Sequence, residues 1–156
     1  MTDAFHDAEW LARTRQQGDV TAWLERMPYA RRIGVSVESA EEGDGLLFRL
    51  APREDNIGNV LLPALHGGVV SAFMETAATL DLMLAAREPR LPRVVDVSID
   101  YLRTARVVPT LARCELLREG RRMANVRVWA WQSDEASPVA TARLHFALAE
   151  VSAQDA

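Results

Sequence analysis

The sequence predicts an α+β domain in which a curved antiparallel sheet of about six strands wraps one long buried helix. Three observations predict it. Residues 69–86 are apolar on nearly every helical face, with the carboxylate of Glu75 in their middle. A surface helix has a charged back, whereas a helix that is apolar all round is buried. Beyond Pro89 every segment alternates with the period of a half-buried strand, and a strand pair also precedes the helix. A curved sheet is then the one partner available to wrap the helix.

The elements follow in order. Residues 1–27 read as an N-terminal helical extension, 28–150 as the main domain and 151–156 as a short tail. From Asp7 the chain is helical, with Trp10, Leu11 and Thr14 on one side, until Gly18 interrupts it. Asp19 caps a second short helix carrying Val20, Trp23, Leu24 and Met27, and Pro28 follows its end. These stripes predict a flap packed on the body, with a lid over a binding site as the alternative. Ile33, Val35 and Val37 alternate with Gly34, Ser36 and Glu38 as a first strand. Residues 41–45 turn, and 46–50 return as a second strand, closed by Pro52. Residues 55–59 read as a loop. The central helix starts at His66-Gly67-Gly68 and ends by Arg87-Glu88-Pro89, where proline forbids continuation. Strands are expected over 95–101, 111–117, 123–131 and 139–148, with a hairpin turn at 118–121.

At 156 residues the chain is one domain with room for a real core. A net charge of −4 and a pI near 5.4 argue against nucleic acid as a partner, while leaving room for a small anion held by local arginines. Cys114 is the single cysteine, so no internal disulfide can form, and a reducing, cytoplasmic location is expected. Asp3, Asp7 and Glu9 speak against a signal peptide. Residues 57–74 carry no Asp, Glu, Lys or Arg, yet Pro63, His66 and the glycine pair make a membrane span a poor reading. The three histidines lack metal-ligand spacing, so no metal site is expected.

His66-Gly67-Gly68, a carboxylate nine residues after the histidine, and Val-Asp-Val-Ser-Ile-Asp-Tyr-Leu-Arg at 95–103 together resemble the hotdog-fold acyl-CoA thioesterases. The likeness is greatest to the phenylacetate-pathway, PaaI-type group. Pro28-Tyr29-Ala30 leading to Ile33-Gly34 is also similar to that group, and the resemblance spans residues 27–150. It implies a hotdog fold that hydrolyses a small aryl- or medium-chain acyl-CoA to free acid and CoA. No cofactor is implied beyond the CoA that is part of the substrate. It further implies an obligate homodimer with shared active sites, and a homotetramer as the expected assembly.

By that resemblance the Gly67 amide polarises the thioester carbonyl, and Glu75 is either general base or nucleophile. The physics is consistent: free N–H groups at a helix start are donors for developing negative charge, and glycine lets a substrate approach. Gly67 and Glu75 are eight positions apart, so they lie roughly 12 Å apart along the helix axis and off one face. Both can act on one carbonyl only if two chains contribute. Thr79, one turn after Glu75, orients the water or carboxylate by resemblance; a bond to the carbonyl one turn back is the alternative. His66 either contacts the substrate or, the better reading, holds the loop.

Gly68 and Asn59 are expected at the substrate. Relatives often carry an asparagine six residues before the histidine; this chain has Val60 there, with Asn59 adjacent and Asn56 further back. Val94 is a second departure, standing where some relatives have a hydroxyl. Arg103, Arg106, Arg121 and Arg122 are the expected partners of the CoA phosphates. Two other functions stay open: a non-catalytic acyl-CoA-binding module, encouraged by those departures, and a hotdog hydratase or dehydratase, disfavoured by the His-Gly-Gly context.

Overall fold

The structure is a computed structural model that describes residues 8–38, 45–59 and 61–150. His6, Val60, most of the expected turn at 41–45, and the tail at 151–156 lie outside those residues. The elements run α1 (Ala8–Gln16), α2 (Val20–Glu25), α3 (Pro28–Ile33), β1 (Val35–Glu38), β2 (Leu47–Leu50), a 3-10 turn (Glu54–Asn56), β3 (Ile57–Asn59), β4 (Ala64–Leu65), α4 (Gly67–Ala85), β5 (Arg90–Tyr101), β6 (Thr110–Glu119), β7 (Met123–Trp131) and β8 (Ala140–Glu150).

Six strands form one antiparallel sheet in the order β1-β2-β6-β7-β8-β5. Helix α4 packs on it, against β5 to β8. This is the α+β, hotdog arrangement that the resemblance implies. Phe73, Met74, Ala77, Ala78, Leu80 and Leu82 of α4 are wholly buried, together with Phe48, Ala112, Val126, Leu144 and Phe146 of the sheet. By length and composition α4 could cross a bilayer; in the fold its apolar residues make the core. Strand alternation has the same cause: Val126, Val128 and Ala130 of β7 point into that core, and Arg127 points out.

The N-terminal helices join the core through Leu11, Val20, Trp23 and Leu24, packing as a flap on the body. Asp19 Oδ1 accepts from the Ala22 N–H at 3.0 Å and caps α2. The wholly buried Trp23 donates from Nε1 to Thr14 Oγ1 at 2.6 Å, which satisfies its one polar atom. The Arg26 guanidinium lies 3.5 Å from the centroid of the Trp10 ring.

Three elements differ from expectation. Ile33 ends a helix, α3, instead of opening a strand. Pro28 occupies the first turn of α3, and Gly34 closes it in the left-handed region with φ 86. Six residues hold too little periodicity to compete with the Ile33-Val35-Val37 alternation. Residues 57–59, expected in a loop, instead pair as β3 with β4 in a small ribbon. Strand β5 begins at Arg90 and runs through Pro92. An edge strand tolerates a proline because one row of its N–H groups has no ladder to feed, and among the described residues β5 pairs with β8 alone.

Candidate active site

The loop that opens α4 is held from several sides. The His66 N–H donates to the Asn56 carbonyl at 2.8 Å, and the Leu65 N–H to the Ala105 carbonyl at 2.8 Å. Ile57 pairs with Leu65 across the ribbon. Gly58 passes so close that a Cβ there would sit 2.7 Å from His66 Cα. Asn56 is buried, and its Nδ2 donates to the Ile33 carbonyl at 2.7 Å. It therefore ties the end of α3 to the start of α4. Asn56→Ala is expected to cost about 1–3 kcal/mol, because the Ile33 carbonyl loses its buried donor. Urea unfolding checks this as a lower midpoint at unchanged slope.

His66 caps α4. Its Nδ1 accepts from the Gly68 N–H at 2.9 Å, and its carbonyl accepts from the Val69 and Val70 N–H groups at 2.9 and 3.1 Å. The opening N–H groups of a helix have no intrahelical partner. Here three of them are committed to His66, and the Gly67 N–H has no partner among the described residues. Tyr101 secures the other side of Gly67: its hydroxyl donates to the Gly67 carbonyl at 2.8 Å. A Cβ on Gly67 would lie 3.3 Å from that phenol.

Glu75 is exposed, which corrects the expectation of a buried carboxylate. Gly68, Glu75 and, in part, Ala72 and Thr79 form a stripe of α4 that neither the sheet nor the flap covers. Glu75 lines a groove of about 460 Å³, with Met27, Tyr29 and Ala30 on one wall and Ala72, Thr76 and Thr79 on the other. The Thr79 hydroxyl donates to the Glu75 carbonyl at 2.8 Å, the bond one turn back, which leaves its oxygen available only as an acceptor.

The helix does hold a carboxylate in apolar surroundings, and it is Asp81. Burial pushes its pKa from 3.8 to about 6. It has no hydrogen bond or ion pair among the described residues. Burial, and secondarily the Asp81 charge, push the Cys114 thiol well up. A carboxyl raised on folding holds its proton more tightly in the folded chain. Its stabilising effect is complete below about pH 4 and lost as pH rises through about 6. Asp81→Asn is accordingly expected to exceed the parent by about 1–3 kcal/mol at pH 8, with the difference closing by pH 4 in urea titrations.

The remaining expected site residues separate into groups. Asn59 sits at the tip of the β3–β4 ribbon, its Oδ1 accepting from the Leu61 and Leu62 N–H groups at 2.9 and 3.4 Å. Asn56, not Asn59, is the asparagine beside His66. Arg103 and Arg106 line a groove near the Gly67 end, where Arg106 bridges to Ala64. Arg121 lines another groove with Arg87 and Glu119, beyond the far end of α4, so at roughly 27 Å of helix from Gly67. Arg122 is its exposed neighbour. No group of three or more His, Cys, Asp or Glu among the described residues is arranged to hold a metal ion.

This fold and helix start define a hotdog-fold protein with an open helical N–H. Residues 62–139 match the Thioesterase superfamily. The chain is 34% identical over 120 residues to the medium/long-chain acyl-CoA thioesterase YigI of Escherichia coli, covering 68% of this chain and 76% of that protein. A solved protein of Chromobacterium violaceum is 37% identical with a TM-score of 0.71, covering 92% of this chain and 99% of the other. A solved point mutant of the phenylacetic acid degradation protein PaaI from Thermus thermophilus, 20% identical, shares the fold with a TM-score of 0.64 over 77% of this chain and 97% of that one. The chain belongs to the thioesterase superfamily and is a thioester hydrolase.

Proposed function

We infer that the substrate is a small aryl- or medium-chain acyl-CoA, hydrolysed to free acid and CoA at a site shared by two subunits. Glu75 of one subunit takes the proton of the attacking water, or attacks the carbonyl carbon itself, expelling the CoA thiolate to leave a mixed anhydride that water then hydrolyses to free acid and Glu75. The Gly67 N–H of the partner subunit donates to the thioester oxygen as it gains charge. In the water route the C–O bond forms, the C–S bond breaks, and the proton held by Glu75 returns to the departing thiolate.

The observation that carries this reading is the division of the helix N–H groups. His66 occupies those of Gly68, Val69 and Val70 and leaves that of Gly67 open, on the same helix as an exposed Glu75 roughly 12 Å away. Neither group can reach the other's carbonyl within one chain. A second copy is supported by the sheet edge: among the described residues β5 pairs with β8 alone, and Val95, Tyr101 and Leu102 along and just past it are 50%, 56% and 51% exposed. Such an edge invites strand pairing with a copy of itself. The apolar wall of Met27, Ala30 and Ala72 beside Glu75 suits an acyl chain, and the substrate named for YigI supports the medium-chain choice.

Free-thiol release from a panel of aryl and medium-chain acyl-CoAs tests the reading, alongside sedimentation of the protein. The expected result is release by a dimer or larger assembly. Binding of acyl-CoA without thiol release would favour the non-catalytic module. Faster hydration of an enoyl-CoA than hydrolysis would favour a hydratase, and a monomer in solution would sink the shared site.

A further inference from the structure

A second groove, about 830 Å³ in volume, runs between α3 and the β1–β2 pair; Pro28 lines both it and the Glu75 groove. Arg31 and Arg32 of α3, Arg49 of β2, and Arg53 line it, and no carboxylate is among its described lining residues. The chain as a whole carries −4, yet four guanidiniums gather along this groove. Their existing commitments are slight. Arg32 has no hydrogen-bond or ion-pair partner through its side chain among the described residues. Among the described residues Arg31 reaches only the Glu25 carbonyl, at 3.4 Å. Arg49 Nε lies 3.8 Å from Glu38 Oε1, with their side chains 34% and 48% exposed.

Arg53 is exposed but held in place. Its Nη1 donates to the Arg32 carbonyl at 2.6 Å, and its stem crosses Gly34. A Cβ on Gly34 would sit 2.6 Å from Arg53 Nε, so glycine serves here both the left-handed turn and the passage of the arginine. Guanidiniums with unfilled donors around one space favour phosphate, whose oxygens accept forked, charge-assisted hydrogen bonds.

We propose that this groove binds the phosphate-bearing nucleotide end of acyl-CoA while the thioester lies in the adjoining Glu75 groove. The inference rests on the thioesterase reading above. One subunit then supplies Glu75 and the phosphate clamp, and its partner supplies Gly67. Arg121 suits this role less well, because it shares its groove with Glu88 and Glu119.

The test compares an acyl-CoA with the N-acetylcysteamine thioester of the same acid, which has no phosphate. In an Arg32→Gln/Arg49→Gln double variant, the ratio of their kcat/KM values is expected to fall about tenfold or more, by loss of acyl-CoA alone. An unchanged ratio overturns the proposal. A measurement on the parent protein is independent of how the variant folds: titration with adenosine 3′,5′-bisphosphate, followed by the arginine Nε–H resonances. Movement of the Arg32 and Arg49 signals, reproduced by CoA in competition for the same site, is expected. Failure to bind, movement of Arg103 or Arg106 instead, or binding that CoA does not compete with each overturns it, the last by assigning the groove to a free nucleotide. If the parent binds in this way yet releases no thiol from any acyl-CoA, hydrolysis fails as a reading while the phosphate groove stands.

Discussion

Glu75→Gln is expected to reduce thiol release by about 10²–10⁴-fold, the range for loss of a positioned general base. A nucleophilic carboxylate would be lost at least as completely, so the direction is common to both routes. The substitution keeps volume and helix propensity, and Glu75 is exposed, so stability should move by no more than about 0.5 kcal/mol. The loss should fall on kcat, because an amide can still fill the groove beside Met27 and Thr79. A variant that keeps half or more of the parental kcat would remove Glu75 from the chemistry.

Gly67→Pro is expected to lower kcat by about 10²–10³-fold, the usual cost of one lost oxyanion donor. Proline deletes the N–H and little else at this position. It is welcome at the first position of a helix. His66, which precedes it, already has φ −63 and ψ 130, the extended conformation that a residue before proline requires. The new side chain meets the Tyr101 phenol at 3.3 Å, so Gly67→Ala, which makes the same contact but keeps the N–H, is the control. It should retain most of the activity. Mixing the two inactive variants is the sharper measurement. A mixed dimer pairs the intact Glu75 of one chain with the intact Gly67 of the other at one of its two sites. Random assortment should then restore about a quarter of parental activity. No recovery from unfolded and refolded mixtures would rule out sharing.

The two carboxylates of α4 illustrate how far the sequence reaches. Both sit in a helix apolar on nearly every side, and the pattern alone points to Glu75 as the costly buried charge. In the fold the sheet and the flap cover most of α4 but leave the stripe from Gly68 to Thr79 open, so Glu75 meets solvent and Asp81 is desolvated. Which arc of an all-round apolar helix stays uncovered depends on where its neighbours stop, and periodicity carries no information about that. The asparagines follow the same logic. Asn59 is nearer to His66 in the chain, yet the β3–β4 ribbon folds its tip away and brings Asn56 to the loop. The arginines differ for another reason: Arg31, Arg32, Arg49 and Arg53 converge only because α3 packs beside the β1–β2 pair.

The local and periodic part of the structure is written in the chain. An apolar run of helical length has to be the core, and period-two segments have to wrap it, since burial of apolar surface dominates folding. Helix rise alone sets Gly67 and Glu75 too far apart for one chain to use both. Which N–H at the helix start is open, and which carboxylate is exposed, is settled by packing. Those outcomes depend on contacts between residues distant in sequence: Asn56 with His66, Tyr101 with Gly67, and β6 and its Cys114 beside Asp81.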